Sequence, residues 1–545
     1  MNKYKLVSLS VAGGIMSGLA WSDWCSGLIL LIAFVPFFLI EYLLSNNVKR
    51  YSRNAFFLYT LPGFVIFNIL AIGWVRVATI TGAIGVIMGL SFLMAFTMWL
   101  AHLIRLRAGN IAGYVALVTF WLTFEFLNLN IYLLTPWMNL GNGLAKDIMF
   151  IQWYEVTGAA GGTLWILCSN LVLSAYLANS LLTKKVNNVY LWIWLAIIII
   201  PSAISINRYF SIQPVNTGAK EVVILQPDVD PYTEKFNVPF PQQWDKAMAM
   251  AKSAVSERTS WIITPETTID DPVNEEDPQN NNYIKAAKKL AVDYPGVCII
   301  AGIVSYKLYP ASVEAPTNSA RKIDDSGMYY DHFNSAFKID TGKNTGIYHK
   351  SKLVPGVEMQ YSFGAGKLIS KMLPVFGGTK WGYGIQKERT CFEHPADSMK
   401  IAPVICYESV FGNYVADYIR KGAEAIFIIT NDGWWKNTTG YMQHLSYASL
   451  RAIETRRPVA RAANTGISCI IDIKGKRIKE SAWWTPAIIT GEIFPETRLT
   501  PYVIYGDYIM RIASVVSSVI FLLVFIAIPA REKNKSFPTE PADLR

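Results

Sequence analysis

Charge is scarce in this chain. Only 17% of its 545 residues are Asp, Glu, Lys or Arg, against 52% apolar residues and a mean hydropathy of +0.27. A soluble chain of this length is rarely so apolar, so membrane spans are expected. Cysteine is sparse as well: Cys25, Cys168, Cys298, Cys391, Cys406 and Cys469 are the six, with no paired spacing and no Cys-x-x-Cys. That argues against a disulfide framework or a zinc site. The five histidines are scattered, with no His-Glu-x-x-His. No metal and no cofactor are expected. A formal charge of +10 raises nucleic acid as a partner, but in a membrane protein basic residues mark cytoplasmic loops, and their positions separate the two readings.

Apolar stretches of spanning length crowd the first 206 residues, at Leu6–Trp21, Cys25–Leu44, Phe56–Val75, Ile80–Ile104, Ile111–Leu129, Ala159–Leu182 and Val189–Ile206. An eighth lies at Ile512–Ile528. The basic loops "MNKYK", "NNVKRYSRN", "RLRAGN", "TKKVNN" and "REKNK" all fall on one side of this map, while "SD" at 22–23 and the stretch 130–158 carry few basic residues. The positive-inside rule then puts both termini in the cytoplasm, and a polar stretch that follows an odd number of spans faces out. Topology thus accounts for the charge, and no nucleic-acid partner is expected. The units expected are a membrane domain at 1–209, an extracytoplasmic catalytic domain at 218–500, an eighth transmembrane helix at 508–530 and a cytoplasmic tail at 531–545.

The outer loop "NIYLLTPWMNLGNGLAKDIMFIQWYEVTG" has too many Asn, Gly and Pro to span, and its Trp137, Trp153 and Tyr154 suit a membrane surface. Glu41 and Glu125 lie near the ends of predicted spans, where exposure costs little, so they are read as exposed rather than functional.

Between spans seven and eight, apolar strand candidates alternate with amphipathic segments. "EVVILQPD", "SWIITPETT", "GVCIIAGIV", "NSAFKID", "IAPVICYES", "AEAIFIITND" and "ISCIIDI" read as strands, and "PQQWDKAMAMAKSAVS", "NNYIKAAKKLAVDY" and "YMQHLSYASLRAIETRR" as helices. This is the pattern of a layered α/β fold, with a hairpin in "YYDHFNSAFKIDTGKNTGIYHKSKLV".

Three strand ends carry residues a core would not choose: Glu266 at the end of "WIITPE", Lys350 in "GIYHKSKLV" and Cys406 after "PVI". Strand ends gather around the ligand crevice in such sheets. Cys406 stands out among the six cysteines because a strand-to-helix turn puts it near helix N-terminal amides, which favour thiolate. A carboxylate, an amine and a thiol can divide the labour of acyl transfer, as base, oxyanion partner and nucleophile. Singly, each has a plainer reading: a helix-start carboxylate, a solvated strand lysine and a buried structural cysteine.

In this order "TPET", "YHKSKLVPGVE" and "PVICYESVFG" resemble the Glu-Lys-Cys motifs of the nitrilase (carbon–nitrogen hydrolase) superfamily, whose fold is a four-layer α-β-β-α sandwich. With about eight spans in a membrane α-helical bundle, and with "TPWMNLGN", "ILQPDVDPYTEKF" and "TNDGWW", the whole chain resembles that superfamily's membrane-embedded N-acyltransferase branch. The resemblance implies Glu266 as general base, Lys350 as oxyanion stabiliser and Cys406 as nucleophile. Glu358 matches the second glutamate that helps hold the lysine, and Tyr407 and Glu408 match the Cys-Tyr-Glu run. It implies a monomer in the bacterial inner membrane that moves an acyl chain from a phospholipid to Cys406 as a thioester. The chain then passes to the α-amino group of a lipoprotein's N-terminal diacylglyceryl-cysteine. The alternative is a membrane-anchored nitrilase-type amidase with water as acceptor.

Departures remain. "LVPGVE" replaces the family's Leu-Val-Pro-Phe-Gly-Glu, and Phe236 stands where tryptophan is common. Lys352 shares a strand face with Lys350, and Lys350 is preferred because it keeps the family's gap before Leu-Val-Pro. The stretch "MQYSFGAGKLISKMLPVFGG" lacks phosphate-loop spacing. Its Leu368, Ile369, Met372, Leu373, Val375 and Phe376 read either as core or as a lid dipping into lipid.

Overall fold

A computed structural model describes residues 3–527 apart from 48–49, 132–134, 181–186, 215–216, 314–315, 325, 343–345, 356 and 360–381. The expected cytoplasmic tail at 531–545 lies outside the described residues, as does the apolar stretch after Met359.

Among the described residues, seven helices are long and apolar enough to cross a membrane. They are α2 (Gly27–Ser45), α3 (Ala55–Val77), α4 (Ile80–Ala108), α5 (Asn110–Asn130), α6 (Ala159–Ala178) and α7 (Asn188–Ser211), with α12 (Tyr508–Ile526) after the globular part. The first predicted span forms α1 (Lys3–Leu19), a helix of 17 residues. At 1.5 Å per residue it reaches about 26 Å, short of a hydrocarbon core of about 30 Å. It is nonetheless built into the bundle through a face of small residues, Ser10, Gly14 and Gly18, all buried. A Cβ on Gly14 would stand 2.2 Å from the Gly63 carbonyl oxygen, and Ser10 Oγ accepts the Gly63 N–H at 3.0 Å. Close backbone approach of this kind is how helices pack where lipid removes the hydrophobic drive.

Glu41 and Glu125 are not exposed, contrary to the expectation from their place near span ends. Glu41 is buried against Arg105 and lies 2.9 Å from His102 Nδ1. Glu125 accepts from Trp121 Nε1 at 3.0 Å, from the Leu140 N–H at 2.7 Å and from Thr163 Oγ1 at 2.7 Å. Its span end is roofed by the outer loop, which folds back in short 3₁₀ turns at Pro136–Met138 and Leu140–Leu144. That return supplies the donors a buried carboxylate needs.

The globular part holds two sheets. The larger contains β1 (Lys220–Gln226), β2 (Thr259–Ile263), β3 (Ile269–Asn274), β4 (Cys298–Tyr309), β5 (Arg321–Lys322), β6 (Tyr329–Ile339), β7 (Ile347–His349) and β14 (Ala487–Ile493). Its main path runs β14-β1-β2-β4-β6-β5, with β3 on β4 and β7 on β6. The smaller runs β13 (Arg477–Glu480), β12 (Cys469–Ile471), β11 (Val459–Ala463), β10 (Ala425–Thr430), β9 (Lys400–Ile405), β8 (Phe392–Glu393). The hairpin expected around residue 343 is β6 against β7, antiparallel with Ser335 opposite His349.

Strand alternation explains the layering. On β1, Val222 and Ile224 join the core that faces the second sheet, while Val223 and Leu225 join the core under α8 (Phe240–Ala254) and α9 (Asn282–Asp293). Trp261 of β2 meets Phe427 of β10 edge to face across the interface, ring centroids 5.3 Å apart. Apolar residues of α10 (Gly412–Arg420) and α11 (Thr439–Thr455) belong to the core that includes β9–β11. The result is the four-layer sandwich: helices, sheet, sheet, helices.

Candidate active site

Parallel pairing of β1 with β2 and of β10 with both β9 and β11 turns the carboxyl ends of several strands toward one crevice, and the polar residues gather there. Glu266 follows β2 on a tight turn whose next residue, Thr267, has φ +50°. The turn lies flat on β4 because residue 302 there is glycine. A Cβ at Gly302 would come 2.2 Å from the Pro265 carbonyl oxygen and 2.7 Å from the Glu266 Cα.

Lys350 leaves β7 fully buried, its side chain 1% exposed. Its Nζ donates to Glu266 Oε1 at 2.9 Å and to Glu358 Oε1 at 2.7 Å. Glu358 is held in turn by the Val354 N–H, which donates to Oε2 at 2.8 Å. The altered "LVPGVE" turn therefore still delivers its carboxylate to the lysine. Burial disfavours the Lys350 ammonium, but Glu266 and Glu358 beside it outweigh that and hold it well above the usual lysine range. Lys352 is placed elsewhere: its Nζ sits over the Phe411 ring, 4.8 Å from the centroid, and near the Tyr414 ring at 5.6 Å. Burial and the Arg389 charge bring it down to about 8.

Cys406 follows β9 and opens a 3₁₀ turn, Cys406–Val410. It adopts φ +50°, a left-handed conformation that costs a non-glycine residue roughly 1–2 kcal/mol. The turn is tied down on two sides. Ser409 Oγ donates to the Cys406 carbonyl at 2.8 Å, and His444 Nε2 lies 3.1 Å from the same oxygen. His444 Nδ1 lies 3.0 Å from Asp432 Oδ1, and Asp432 also pairs with Arg461. Burial alone would raise Asp432, but Arg461 and His444 outweigh it and depress the carboxyl well below the usual range. On the other side, buried Glu408 accepts the Ile405 N–H at 2.8 Å and the Ser351 N–H at 2.7 Å. It also accepts Tyr348 Oη at 2.6 Å and Tyr414 Oη at 2.7 Å. Glu408 thereby straps the turn that carries Cys406 to the segment that follows Lys350.

The thiol is not biased toward thiolate as its place at the turn suggested. Burial, with Glu266 next, raises Cys406 far above the usual cysteine range despite Lys350. In so dry a site desolvation outweighs the amides of one short turn. A thiol of this kind reacts only if a base removes its proton, and Glu266 is the carboxylate with the largest electrostatic influence on it.

Tyr407 faces the membrane part. Its Oη lies 2.8 Å from Thr135 Oγ1, and its ring stacks on Trp137 with centroids 6.4 Å apart. Trp137 Nε1 and Trp74 Nε1 both donate to Gln443 Oε1, at 2.7 and 3.1 Å. Gln443 Nε2 donates to the Trp21 and Ala71 carbonyls at 3.0 and 2.9 Å. One glutamine on α11 thus binds the crevice to the helices.

The motif reading missed Asn334, Asp432, His444 and Gln443. Asn334 carried a signal: it is a polar residue in "HFNSAFKI" on the strand face shared with buried Ala336. No metal-holding group of His, Cys, Asp and Glu occurs among the described residues.

Residues 230–502 match the carbon–nitrogen hydrolase profile, half of the chain. The chain belongs to the carbon–nitrogen hydrolase family. Residues 13–172 match the N-terminal domain of apolipoprotein N-acyltransferase. Among curated proteins, apolipoprotein N-acyltransferase of Chlorobaculum tepidum is 28% identical, over 95% of this chain and 96% of that one. The Haemophilus influenzae protein of the same name is 24% identical, over 93% and 92%. A solved nitrilase-superfamily structure, Saccharomyces cerevisiae Nit3, is similar at 16% identity and a TM-score of 0.38, over 51% of this chain and 91% of that one.

Proposed function

We propose that this chain is a membrane N-acyltransferase working by a ping-pong mechanism. Glu266 takes the Cys406 proton, the thiolate attacks the ester carbonyl of a membrane phospholipid, and the Lys350 ammonium stabilises the oxyanion. The lysophospholipid leaves with a proton from Glu266, and the acyl chain stays on Cys406 as a thioester. The free α-amino group of a lipoprotein's diacylglyceryl-cysteine then attacks and carries the chain away as an amide. Glu358 shares the lysine's charge, Glu408 positions the nucleophile's turn, and Tyr407 links that turn to the membrane part. The catalytic domain works outside the cytoplasmic membrane as part of a monomer.

The observation that carries this reading is the seating of the thiol. Cys406 lies in a dry crevice whose neighbour Tyr407 is bonded to Thr135 and stacked on Trp137 of the membrane domain's outer loop. A thioester that must outlive contact with water needs such a place, and a lipid donor must reach it from the bilayer.

The test is incubation of the purified protein with labelled phospholipid. Alone, it should yield a hydroxylamine-sensitive label on Cys406 with little free fatty acid. Adding a diacylated lipopeptide should discharge the label into an amide. Cys406→Ala should abolish labelling. Steady release of fatty acid without acceptor would favour the amidase-type hydrolase instead.

A further inference from the structure

Asn334 bonds both carboxylates that hold Lys350 and, through its backbone, the main chain of Lys350 itself. It is buried on β6, and alternation sets it on the same strand face as Ala336, whose side chain joins the core between the sheets. Its Nδ2 donates to Glu266 Oε1 at 2.7 Å and to Glu358 Oε1 at 3.3 Å. Its backbone carbonyl accepts the Lys350 N–H at 2.8 Å. Two carboxylate acceptors fix which end of the amide is nitrogen, because the flipped amide would set oxygen against oxygen. The other end is then Oδ1, and among the described residues this buried oxygen accepts no hydrogen bond. Buried amide oxygens are nearly always paired. One left over at a reaction centre calls for a donor that arrives with the substrate.

The two half-reactions differ in what they bring. Loading releases an alcohol, which needs one proton, and Glu266 holds one by then. A neutral primary amine attacking the thioester carries two N–H bonds. As the C–N bond forms and the C–S bond breaks, one of these protons passes to Glu266 and on to the departing Cys406 sulfur. Thioester plus amine gives amide plus thiol, with nothing else consumed. The second N–H stays on the nitrogen throughout, and in a water-excluded crevice it needs an acceptor.

We propose that Asn334 is the amine-docking residue of this site. With Nδ2 held by Glu266 and Glu358, Oδ1 receives the second N–H of the attacking amine and turns its lone pair toward the thioester. This inference rests on the transferase reading above, and it names the group in the crevice that recognises a primary amine.

The test uses the full chain and separates the half-reactions. Loading is followed with labelled phospholipid alone. Loaded enzyme is then discharged either by a synthetic diacylated lipopeptide with a free α-amino group or, at saturating concentration, by dithiothreitol, a thiol that exchanges with the thioester and brings no N–H. In Asn334→Leu the half-saturating lipopeptide concentration should rise by about tenfold or more, as expected for one lost hydrogen bond in a dry site. Dithiothreitol should still discharge that variant at close to the wild-type rate, whereas general damage to the crevice would slow both. Asn334→Asp keeps an acceptor oxygen but loses the donors. Its loading should slow and its optimum should move to higher pH, because a third carboxylate makes Glu266 harder to ionise.

An Asn334→Leu enzyme that responds to lipopeptide at the wild-type concentration would overturn the proposal. Should that variant fail to load, Asn334→Asp decides: an unaltered loading rate and pH profile would overturn it equally. Wild-type protein that loads and then releases only fatty acid would overturn the transferase reading itself, a result distinct from both.

Discussion

At Lys350 the decisive property is shape as much as charge. Its Nζ is one point donating to two carboxylates, Glu266 and Glu358, in a pocket with almost no exposure. A guanidinium is planar and longer, so Lys350→Arg should keep the charge and lose most activity, on the order of a hundredfold in thioester formation from labelled phospholipid. Lys352→Ala should cost little, since its ammonium lies over Phe411 and Tyr414. Equal losses at the two positions would leave the oxyanion role unassigned. Asp432 allows a pH test. Its carboxyl is depressed in the folded protein by Arg461 and His444 against the opposing effect of burial. The folded state is the one that prefers the ionised form, so Asp432 adds stability above its unfolded pKa of about 4, and that share is lost as pH falls through and below this value. Asp432→Asn should lower the melting temperature at pH 7 and flatten its fall between about pH 5 and 3, read by thermal unfolding in detergent. The candidate residues Glu266, Lys350 and Cys406 stood out in sequence because each is a polar or reactive residue at the end of a strand. Asp432 and His444 were not, because a single polar residue in a turn or helix does not declare which distant backbone carbonyl it serves.

Among the elements, the strands were the clearest part of the chain. Seven apolar runs bounded by turn residues became β1, β2, β4, β6, β9, β10 and β12. The short β11 (Val459–Ala463) was hidden in "RRPVARAANTG", where the charge of Arg461 breaks the pattern. Buried Arg461 is explained only by tertiary partners, Asp432 and the Ile467 carbonyl. Glu41 and Glu125 were misread for a related reason: hydropathy locates a span end but not what packs over it, Arg105 and His102 of α4 for Glu41 and the returning outer loop for Glu125. The helix α1 is the harder case, since its 17 residues leave its place in the bundle to packing. Its small face makes a prediction. Gly14→Leu must push α1 off the backbone of α3, because even a Cβ meets the Gly63 carbonyl. Backbone cannot yield as a flexible side chain can, so the bundle should lose on the order of 2–3 kcal/mol. The change should appear as a lower melting temperature in detergent, whereas Leu at exposed Ile15 should be silent. Similar melting for both variants would mean that α1 packs otherwise.

For the whole molecule, orientation follows from where charge lies relative to helices. Arg50 and Arg53 follow α2, Arg105 and Arg107 end α4, and Lys184 and Lys185 follow α6, so the three loops share a side. Not every basic residue reports topology: Arg105 is buried in its pair with Glu41, and Lys146 of the opposite loop is bound to the Ser22 and Cys25 carbonyls. Removing Arg105 and Lys146 from the comparison leaves the bias intact, because the remaining five, Arg50, Arg53, Arg107, Lys184 and Lys185, still fall at the ends of alternate spans in the sequence. Reporter fusions at Asn47, Asn110 and Lys185 should therefore read as cytoplasmic, and fusions across Lys220–Thr500 as external. The parity of α1 adds a separate reading. If it spans, an N-terminal tag shares the side of Asn47's loop only by virtue of two crossings, α1 and α2. If it merely lies in the bundle, the tag falls on the opposite side while the other fusions stay put. An external catalytic domain with a cytoplasmic N-terminal tag is the expected outcome. A cytoplasmic catalytic domain would separate the crevice from any acceptor amine on the outer face, and the transferase reading could not survive that result.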